Sequence, residues 1–439
     1  MSANLRPSRF NIVAPLAGSD DFYVVNLLSG RADLIDAVEA RELQAGDRSA
    51  YGADLIERGY VVDPEVEERA YRQAYLDFVE SRETDELQLF YVPSYACNFD
   101  CSYCYQKSYE PPDAGEQAAV IQAFFAYVDA NFAGRHQYIT LFGGEPLLPN
   151  ASSREVVERM TSGTRDRGLD LAVVTNGYHL VSYIDTLAQG RIRELQVTLD
   201  GPRAVHDGRR HLATGAGTFD AIVAGIDAAL GAGMPVNLRT VMDRDNLPSY
   251  VALARFAIER GWTTQPGFKT QVGRNYELHE CQVGRERLYS RLELHQDLYR
   301  LAKQHPELLE FHRPNFSIAR HLADHGRLPG PLFDACPATK TEWAFDGTGH
   351  IYGCTATVGR REESLGTFYP DVQRSESAIE PWEDRDVLSI PQCRSCSVQL
   401  ACGGGCGSVA KNQRGTVAAA DCRPISELLS LGLDLYAGA

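Results

Sequence analysis

The sequence predicts an α/β protein: six β/α units in a parallel sheet or barrel, a small α+β unit ahead of them, and a cysteine-rich region behind. Three observations carry this. From 86 to 285, short β-branched and aromatic runs alternate with helical patterns. Before 86, strand signals precede two short helical ones. After 330 come seven of the chain's eleven cysteines, two of them flanking the run Gly403-Gly404-Gly405.

The N-terminal unit, 1–85, starts with strands at Phe10–Pro15 and Phe22–Leu28, joined by the turn Gly18–Asp21. Ala32–Asp36 is a third strand. Helical patterns follow at Ala37–Leu43 and Tyr51–Arg58, Gly59–Val62 ends the unit, and charged Glu65–Asp85 reads as a helical linker. In the central unit, 86–285, the strands are Leu89–Ser94, Tyr138–Phe142, Leu171–Thr175, Leu195–Leu199, Val236–Val241 and Phe268–Val272. Helices are expected at Glu116–Phe132, Ser153–Arg167, Val181–Gln189, Phe219–Ala232 and Leu247–Arg260. Six strands are fewer than the eight of a full barrel, and most polar motifs fall at C-terminal strand ends, where barrel sites are built. Residues 286–330 read as a helical bridge, and 331–439 as the cysteine-rich domain. His279, His295, His305, His312, His321 and His325 show no metal spacing and are expected at the surface.

Composition bounds the function. The 439 residues allow two or three domains. Charged residues at 23% and hydrophobic ones at 44% are ordinary for a soluble globular protein. A net charge of −16 argues against a nucleic-acid partner, which needs Lys and Arg on its phosphates. Met1–Arg9 lacks the apolar core of a signal peptide, and no apolar run is long enough to span a membrane. The expected location is the cytoplasm, where thiols stay reduced, so eleven cysteines point to metal rather than disulfides.

Cys97, Cys101 and Cys104 stand in the loop after the first barrel strand, with three and then two residues between them. Three thiolates so spaced can converge on one iron–sulfur cube. A cube normally takes four, so one iron stays open to a small molecule. The alternative is a zinc knuckle or a disulfide trio, but zinc sites usually close with a fourth Cys or His nearby. After strand two comes Phe142-Gly143-Gly144-Glu145-Pro146, where glycines admit close backbone approach and a carboxylate can meet an ammonium. After strand three comes Thr175-Asn176-Gly177. After strand four come Thr198-Leu199-Asp200-Gly201-Pro202 and His206-Asp207-Gly208-Arg209-Arg210.

These motifs resemble the radical S-adenosylmethionine (SAM) enzymes, whose CxxxCxxC loop, GGEP motif and LDGP…HDxxR run stand here. The resemblance implies a partial (β/α)6 TIM barrel. It implies that the open iron chelates SAM and that one electron cleaves SAM to a 5′-deoxyadenosyl radical. By it, Gly143, Gly144, Glu145 and Pro146 meet the SAM amino group and Asn176 lies near the nucleoside. Thr198 and Arg210 hold the ribose or carboxylate, and Tyr103 packs on adenine. Arg239 is a further candidate, if strand alternation turns it inward.

The last third reads Cys336, Gly349, Cys354, then Cys393, Cys396, Cys402, Cys406 and Cys422. This pattern resembles the SPASM auxiliary-cluster domain of peptide- and protein-modifying radical SAM enzymes. By that resemblance Cys393, Cys396, Cys402 and Cys422 close one 4Fe-4S cluster, while Cys336, Cys354 and Cys406 hold another, three clusters in all. A pair of zinc sites is the alternative. Cys281 is a fourth ligand of the second cluster, or a plain buried thiol, or that cluster is open. The unit 1–85 loosely resembles a leader-peptide recognition element that captures a strand at a sheet edge; the alternative is a structural cap.

The expected activity is a radical SAM/SPASM maturase that crosslinks a ribosomally made precursor peptide through a C–S, C–C or C–O bond. A flavodoxin-like or ferredoxin-like donor supplies electrons. The runner-up is an anaerobic sulfatase-maturating type, in which an aspartate follows the cysteine matching Cys354; here it is Thr355. A third class is a non-catalytic iron–sulfur peptide-binding or electron-transfer protein.

Overall fold

The computed structural model describes residues 5–45, 52–107, 109, 117–274 and 285–437. The N-terminal unit holds β1 (Arg6–Pro7), β2 (Ile12–Pro15), β3 (Phe22–Asn26), β4 (Arg31–Ile35) and β5 (Val61–Val62). β2, β3 and β4 form an antiparallel meander, and β5 pairs with β1. The helix Pro64–Thr84 follows, with Pro64 in its first turn and the Asp63 side chain accepting from the Glu65 amide. It is more than a linker. Tyr71 donates to Gln399 Oε1 at 2.7 Å and Tyr75 to Asp386 at 2.8 Å. The rings of Tyr71, Tyr75 and Phe78 gather round Phe333. The aromatic positions, spaced for one helix face, pin this helix to the C-terminal region.

The six expected barrel strands all form: β6 (Leu87–Val92), β7 (Gln137–Leu141), β8 (Asp170–Thr175), β9 (Ile192–Thr198), β10 (Val236–Met242) and β11 (Phe268–Arg274). They pair in parallel in the order β11-β10-β9-β8-β7-β6. Alternation assigns their faces. Leu89 and Tyr91 turn outward, with the Tyr91 and Phe124 rings 4.8 Å apart, while Gln88 and Phe90 turn inward.

The sheet does not stop at the expected division. β12 (Glu342–Asp346) joins β6 in parallel, and β13 (His350–Tyr352), β14 (Gly366–Thr367) and β15 (Gln373–Arg374) extend it antiparallel. The cysteine-rich region therefore shares a backbone hydrogen-bond ladder with the barrel. The bridge contains helices Arg291–Gln304, Leu308–Phe311 and Ala319–His325, the first and third packed on the C-terminal helix Ile425–Ala437. The surface expectation fails for His312. It is buried, with Nδ1 2.9 Å from Thr270 Oγ1, and burial pushes it down to about 4. His279 and Cys281 lie outside the described residues. No helix among the described residues is long and apolar enough to cross a membrane.

Arg385 is the hub of the C-terminal region. Fully buried, it donates to the carbonyls of Val417, Gly404 and Ala419 at 2.8, 2.6 and 3.2 Å, so it grips the loops around Cys402, Cys406 and Cys422. Asp334 lies 3.5 Å from its guanidinium, pairs with Lys340, and accepts the Cys336 amide at 2.9 Å. Replacing the guanidinium leaves three carbonyls and a carboxylate without it. Arg385→Met is expected to cost about 3–5 kcal/mol. Denaturant unfolding checks this; a change under about 1 kcal/mol would remove Arg385 from the account.

Candidate functional site

The loop after β6 is tied down by backbone bonds to residues 209–213. The Asp100 amide donates to His211, Ser102 to Arg209, and the Ala213 amide to Asn98. Cys97, Cys101 and Cys104 open on one cavity of about 610 Å³ at the C-terminal strand ends. Tyr103, Gly143, Gly144, Asn176, Thr198, Arg210 and Arg239 line it too, so the fold brings these expected residues together. Thr355 and Ala356, beside Cys354, form part of its wall. Tyr105 bridges the two cysteine loops, its hydroxyl donating to the Thr355 carbonyl at 3.3 Å.

The glycines are required by space. A Cβ on Gly143 would sit 2.5 Å from the Ser94 carbonyl oxygen, and one on Gly144 2.3 Å from that of Ala96. Glu145 and Pro146 depart from expectation: neither lines the cavity. Glu145 is buried. Its carboxylate accepts from Thr175 Oγ1 at 2.6 Å and from the amides of Asn176 and Leu147 at 2.6 and 2.8 Å. Donors from two loops converge on the carboxylate, which pins the GGEP and TNG turns together. Asn176 in turn donates to Asn98 Oδ1 at 2.8 Å, tying the TNG turn to the cysteine loop.

A buried charge chain supports the opposite side. Asp243 accepts both bonds from Arg209 Nη1, at 2.8 and 2.9 Å. Arg209 Nε reaches Asp200 at 3.3 Å, which accepts the Tyr103 hydroxyl at 2.6 Å; Tyr103 itself accepts from Arg210 at 2.8 Å. Burial drives the Tyr103 phenol well above its ordinary value, so it stays protonated. Arg210 Nε is buried with no partner among the described residues, a spare donor for an anionic group. Asp200 and Arg209 stand inside the motif runs of the sequence without an assigned role; Asp243 has no sequence signal beyond lying just past β10.

His206 completes the support. Its Nδ1 accepts the Asp200 amide at 3.2 Å, so Nε2 carries the proton and donates to Thr218 Oγ1 at 3.1 Å. Thr218 passes its own proton to the Arg210 carbonyl at 2.6 Å. Burial first, then Arg210, pushes His206 down to about 3. The unfolded chain protonates this ring near 6.5 while the native state does not, so stability is lost as pH falls from 6.5 toward 3. The expected loss from His206 is up to about 1.4 kcal/mol per pH unit in that window. Unfolding of wild type and His206→Gln at a series of pH values checks it: the variant's curve is to be flatter, and parallel curves would contradict the assignment.

The C-terminal cysteines lie in two groups. Burial pushes Cys393 up to about 11, reinforced by Cys402, Cys396 and Cys422. Cys354 is pushed up to about 12 by burial, with Glu342 next and Cys336 adding a smaller effect. Cys336 Sγ lies against Gly407, and Cys354 Sγ is 3.3 Å from Ser408 Oγ. Cys406 is the residue just before the helix Gly407–Arg414, whose first turn lies against the sulfurs of Cys336 and Cys354. Backbone amides of Ala338 and Gly407 point at Cys336, and that of Ala356 at Cys354. Cys97 faces the open cavity, yet surrounding protein still pushes its thiol up to about 12. Thiols this hard to ionise become thiolates when a bound cation compensates the charge. Among the described residues no group of three or more His, Cys, Asp or Glu is set to hold a single metal ion. The spare Arg210 donor fits the carboxylate of SAM, the glycine cradle admits close backbone approach, and the amide-directed sulfurs fit thiolate-held clusters.

The profile of the Radical SAM superfamily matches residues 91–257. GTP 3′,8-cyclase of Ectopseudomonas mendocina is 30% identical over 167 residues, 38% of this chain and 48% of that protein. The enzyme of that name from Campylobacter jejuni subsp. doylei is 31% identical over 165 residues, 37% of this chain and 49% of that one. The chain thus spans about half the length of the curated relatives it matches. Among solved structures, anSMEcpe with bound AdoMet and Cp18Cys peptide superposes with a TM-score of 0.59 at 16% identity, covering 80% of this chain and 95% of that one. Streptococcus suis SuiB bound to S-adenosylmethionine gives 0.55 at 14%, covering 96% and 99%. SuiB bound to its precursor peptide SuiA gives 0.53 at 14%, covering 95% and 99%. These likenesses establish the radical SAM fold.

Proposed function

We propose that this chain, whose residues 91–257 form a radical SAM domain, is a peptide maturase: it cleaves SAM reductively, takes a hydrogen atom from a ribosomally made precursor peptide, and oxidatively closes a C–S, C–C or C–O crosslink. One observation supports this above others. The Cys97–Cys104 loop and the Thr355–Ala356 wall beside Cys354 open on the same cavity, so a substrate there lies between the SAM site and the auxiliary cysteines. anSMEcpe and SuiB, each solved with a bound peptide, support a peptide as substrate.

Cys97, Cys101 and Cys104 would hold an iron–sulfur cluster with SAM, which would supply the one-electron, radical-generating chemistry. The chain's residues do the positioning. Arg210, oriented by Tyr103 and Asp200, offers its spare Nε to the carboxylate of SAM. The Gly143–Gly144 turn lets backbone approach the amino end, and Asn176 and Thr198 line the nucleoside side. We assign Cys393, Cys396, Cys402 and Cys422 to one auxiliary cluster and Cys336, Cys354 and Cys406 to the other, as acceptors of the substrate's surplus electron. A flavodoxin- or ferredoxin-like donor in the cytoplasm fits the reduced thiols. In the N-terminal unit, β4 pairs only with β3 among the described residues, and we assign its open edge to the leader peptide.

Anaerobic co-expression with any short peptide encoded beside the gene tests this. The peptide is expected to lose two hydrogens as 5′-deoxyadenosine accumulates. An unchanged peptide with active SAM cleavage would sink the maturase reading. The relatives named GTP 3′,8-cyclase make GTP the second substrate to try; stimulation of SAM cleavage by GTP would favour a nucleotide.

A further inference from the structure

The wall of the cavity away from the cysteine loop is polar where barrel interiors are usually apolar. Glu194 and Gln196 on β9, Asn237 and Arg239 on β10, and Gln271 on β11 line it. Four arginines and one glutamate line the cavity, a local positive balance inside a chain of net charge −16. Low-dielectric walls focus such a field on an anion.

Three of the four arginines have other work. Arg193 forks onto Glu86 at 2.7 Å through both terminal nitrogens. Arg274 donates to the Tyr289 carbonyl at 2.6 Å. Arg210 is held by Tyr103 beside the cysteine loop. Arg239 is different. Its one hydrogen bond among the described residues, to Gln196 Oε1, is long at 3.4 Å. Its guanidinium lies against Gly273, where a Cβ would come within 2.9 Å of Nη2, so that glycine is the flat bed on which the fork rests. Two residues back along β10, Asn237 is 7% exposed, and its Oδ1 has no partner among the described residues. Its amide orientation is fixed, because Nδ2 donates to the Glu194 carboxylate at 2.9 Å and a carboxylate only accepts. The wall thus offers a guanidinium fork held by one long hydrogen bond and, beside it, a buried acceptor without a partner among the described residues. An acidic residue of a peptide has the matching pair: a side-chain carboxylate and a backbone N–H.

We infer that Arg239 is a specificity-determining residue that receives a carboxylate of the peptide substrate, with Asn237 Oδ1 accepting a neighbouring backbone N–H. This rests on the peptide-maturase reading and narrows it to substrates with an Asp or Glu near the modified residue. The sequence groups Arg239 with the SAM contacts; its bed on β11 and its pairing with Asn237 set it on the substrate side.

The test compares selectivity within each enzyme, so any change in SAM cleavage cancels. Two pools of short capped peptides are identical except that one carries Asp or Glu where the other carries Asn or Gln. The readout is the rate of 5′-deoxyadenosine formation by the reconstituted holoenzyme with each pool. Wild type is expected to favour the acidic pool by about tenfold or more. Arg239→Gln is expected to bring the ratio near one, and Arg239→Glu to favour a third pool carrying Lys at those positions. A ratio that stays at its wild-type value in Arg239→Gln, with both rates lowered, would make Arg239 a SAM ligand and overturn the inference. A wild-type ratio near one would also overturn it while leaving the maturase reading intact. No 5′-deoxyadenosine with any pool would sink both.

Discussion

Cys101→Ala is expected to abolish SAM cleavage, by at least about a hundredfold. The reason is stoichiometric. An open cube already lacks one protein ligand, and the loop supplies only Cys97, Cys101 and Cys104 to the cavity. The fold offers no substitute among the described residues, since Glu145 is consumed by Thr175, Asn176 and Leu147. The change is small in volume, and Cys101 is only partly buried, so the loop's bonds to residues 209–213 are expected to keep its path. Iron per chain and 5′-deoxyadenosine under dithionite are the measurements. Loss of activity with a normal melting temperature is the expected pair. Retained cleavage would remove the loop from the chemistry.

Cys396→Ala is expected to separate two activities: SAM cleavage continues in part, while crosslinked product falls by about a hundredfold or more. Cys396 belongs to the group around Cys393 and does not border the cavity. Its loss leaves Cys97, Cys101 and Cys104 untouched but breaks an acceptor for the electron that a two-electron oxidation must shed. The helix Pro64–Thr84 complicates the choice of variant, because Tyr71 bonds Gln399, whose side-chain amide donates to the Cys396 carbonyl at 3.0 Å. A backbone shift would therefore appear as lower overall stability. Normal product formation with normal stability would dismiss the electron-acceptor role of that group.

Much of this arrangement was legible in the chain. The parallel strands were legible because most are short apolar runs and the first four end in polar motifs, and strand alternation turns Arg239 inward. The SPASM resemblance groups Cys393, Cys396, Cys402 and Cys422, and the fold brings these four near one another. What stayed hidden was long-range. β12 joins β6 across some 250 residues, and no local pattern marks that pairing. The sequence shows the Glu145 carboxylate but not the three donors that converge on it. Arg385 and Asp334 read as ordinary charges, and only the fold reveals a buried hub. His312 failed the surface expectation because helix Leu308–Phe311 lays it against Thr270.

The most direct measurement is the fate of one hydrogen. The peptide is made with deuterium on its side-chain carbons and turned over anaerobically by the reconstituted enzyme. Deuterium in the 5′-deoxyadenosine, at one per cleavage in the first turnover, is the predicted result. 5′-Deoxyadenosine without deuterium, when the α-carbons as well as the side-chain carbons carry the label, would contradict hydrogen abstraction from the peptide.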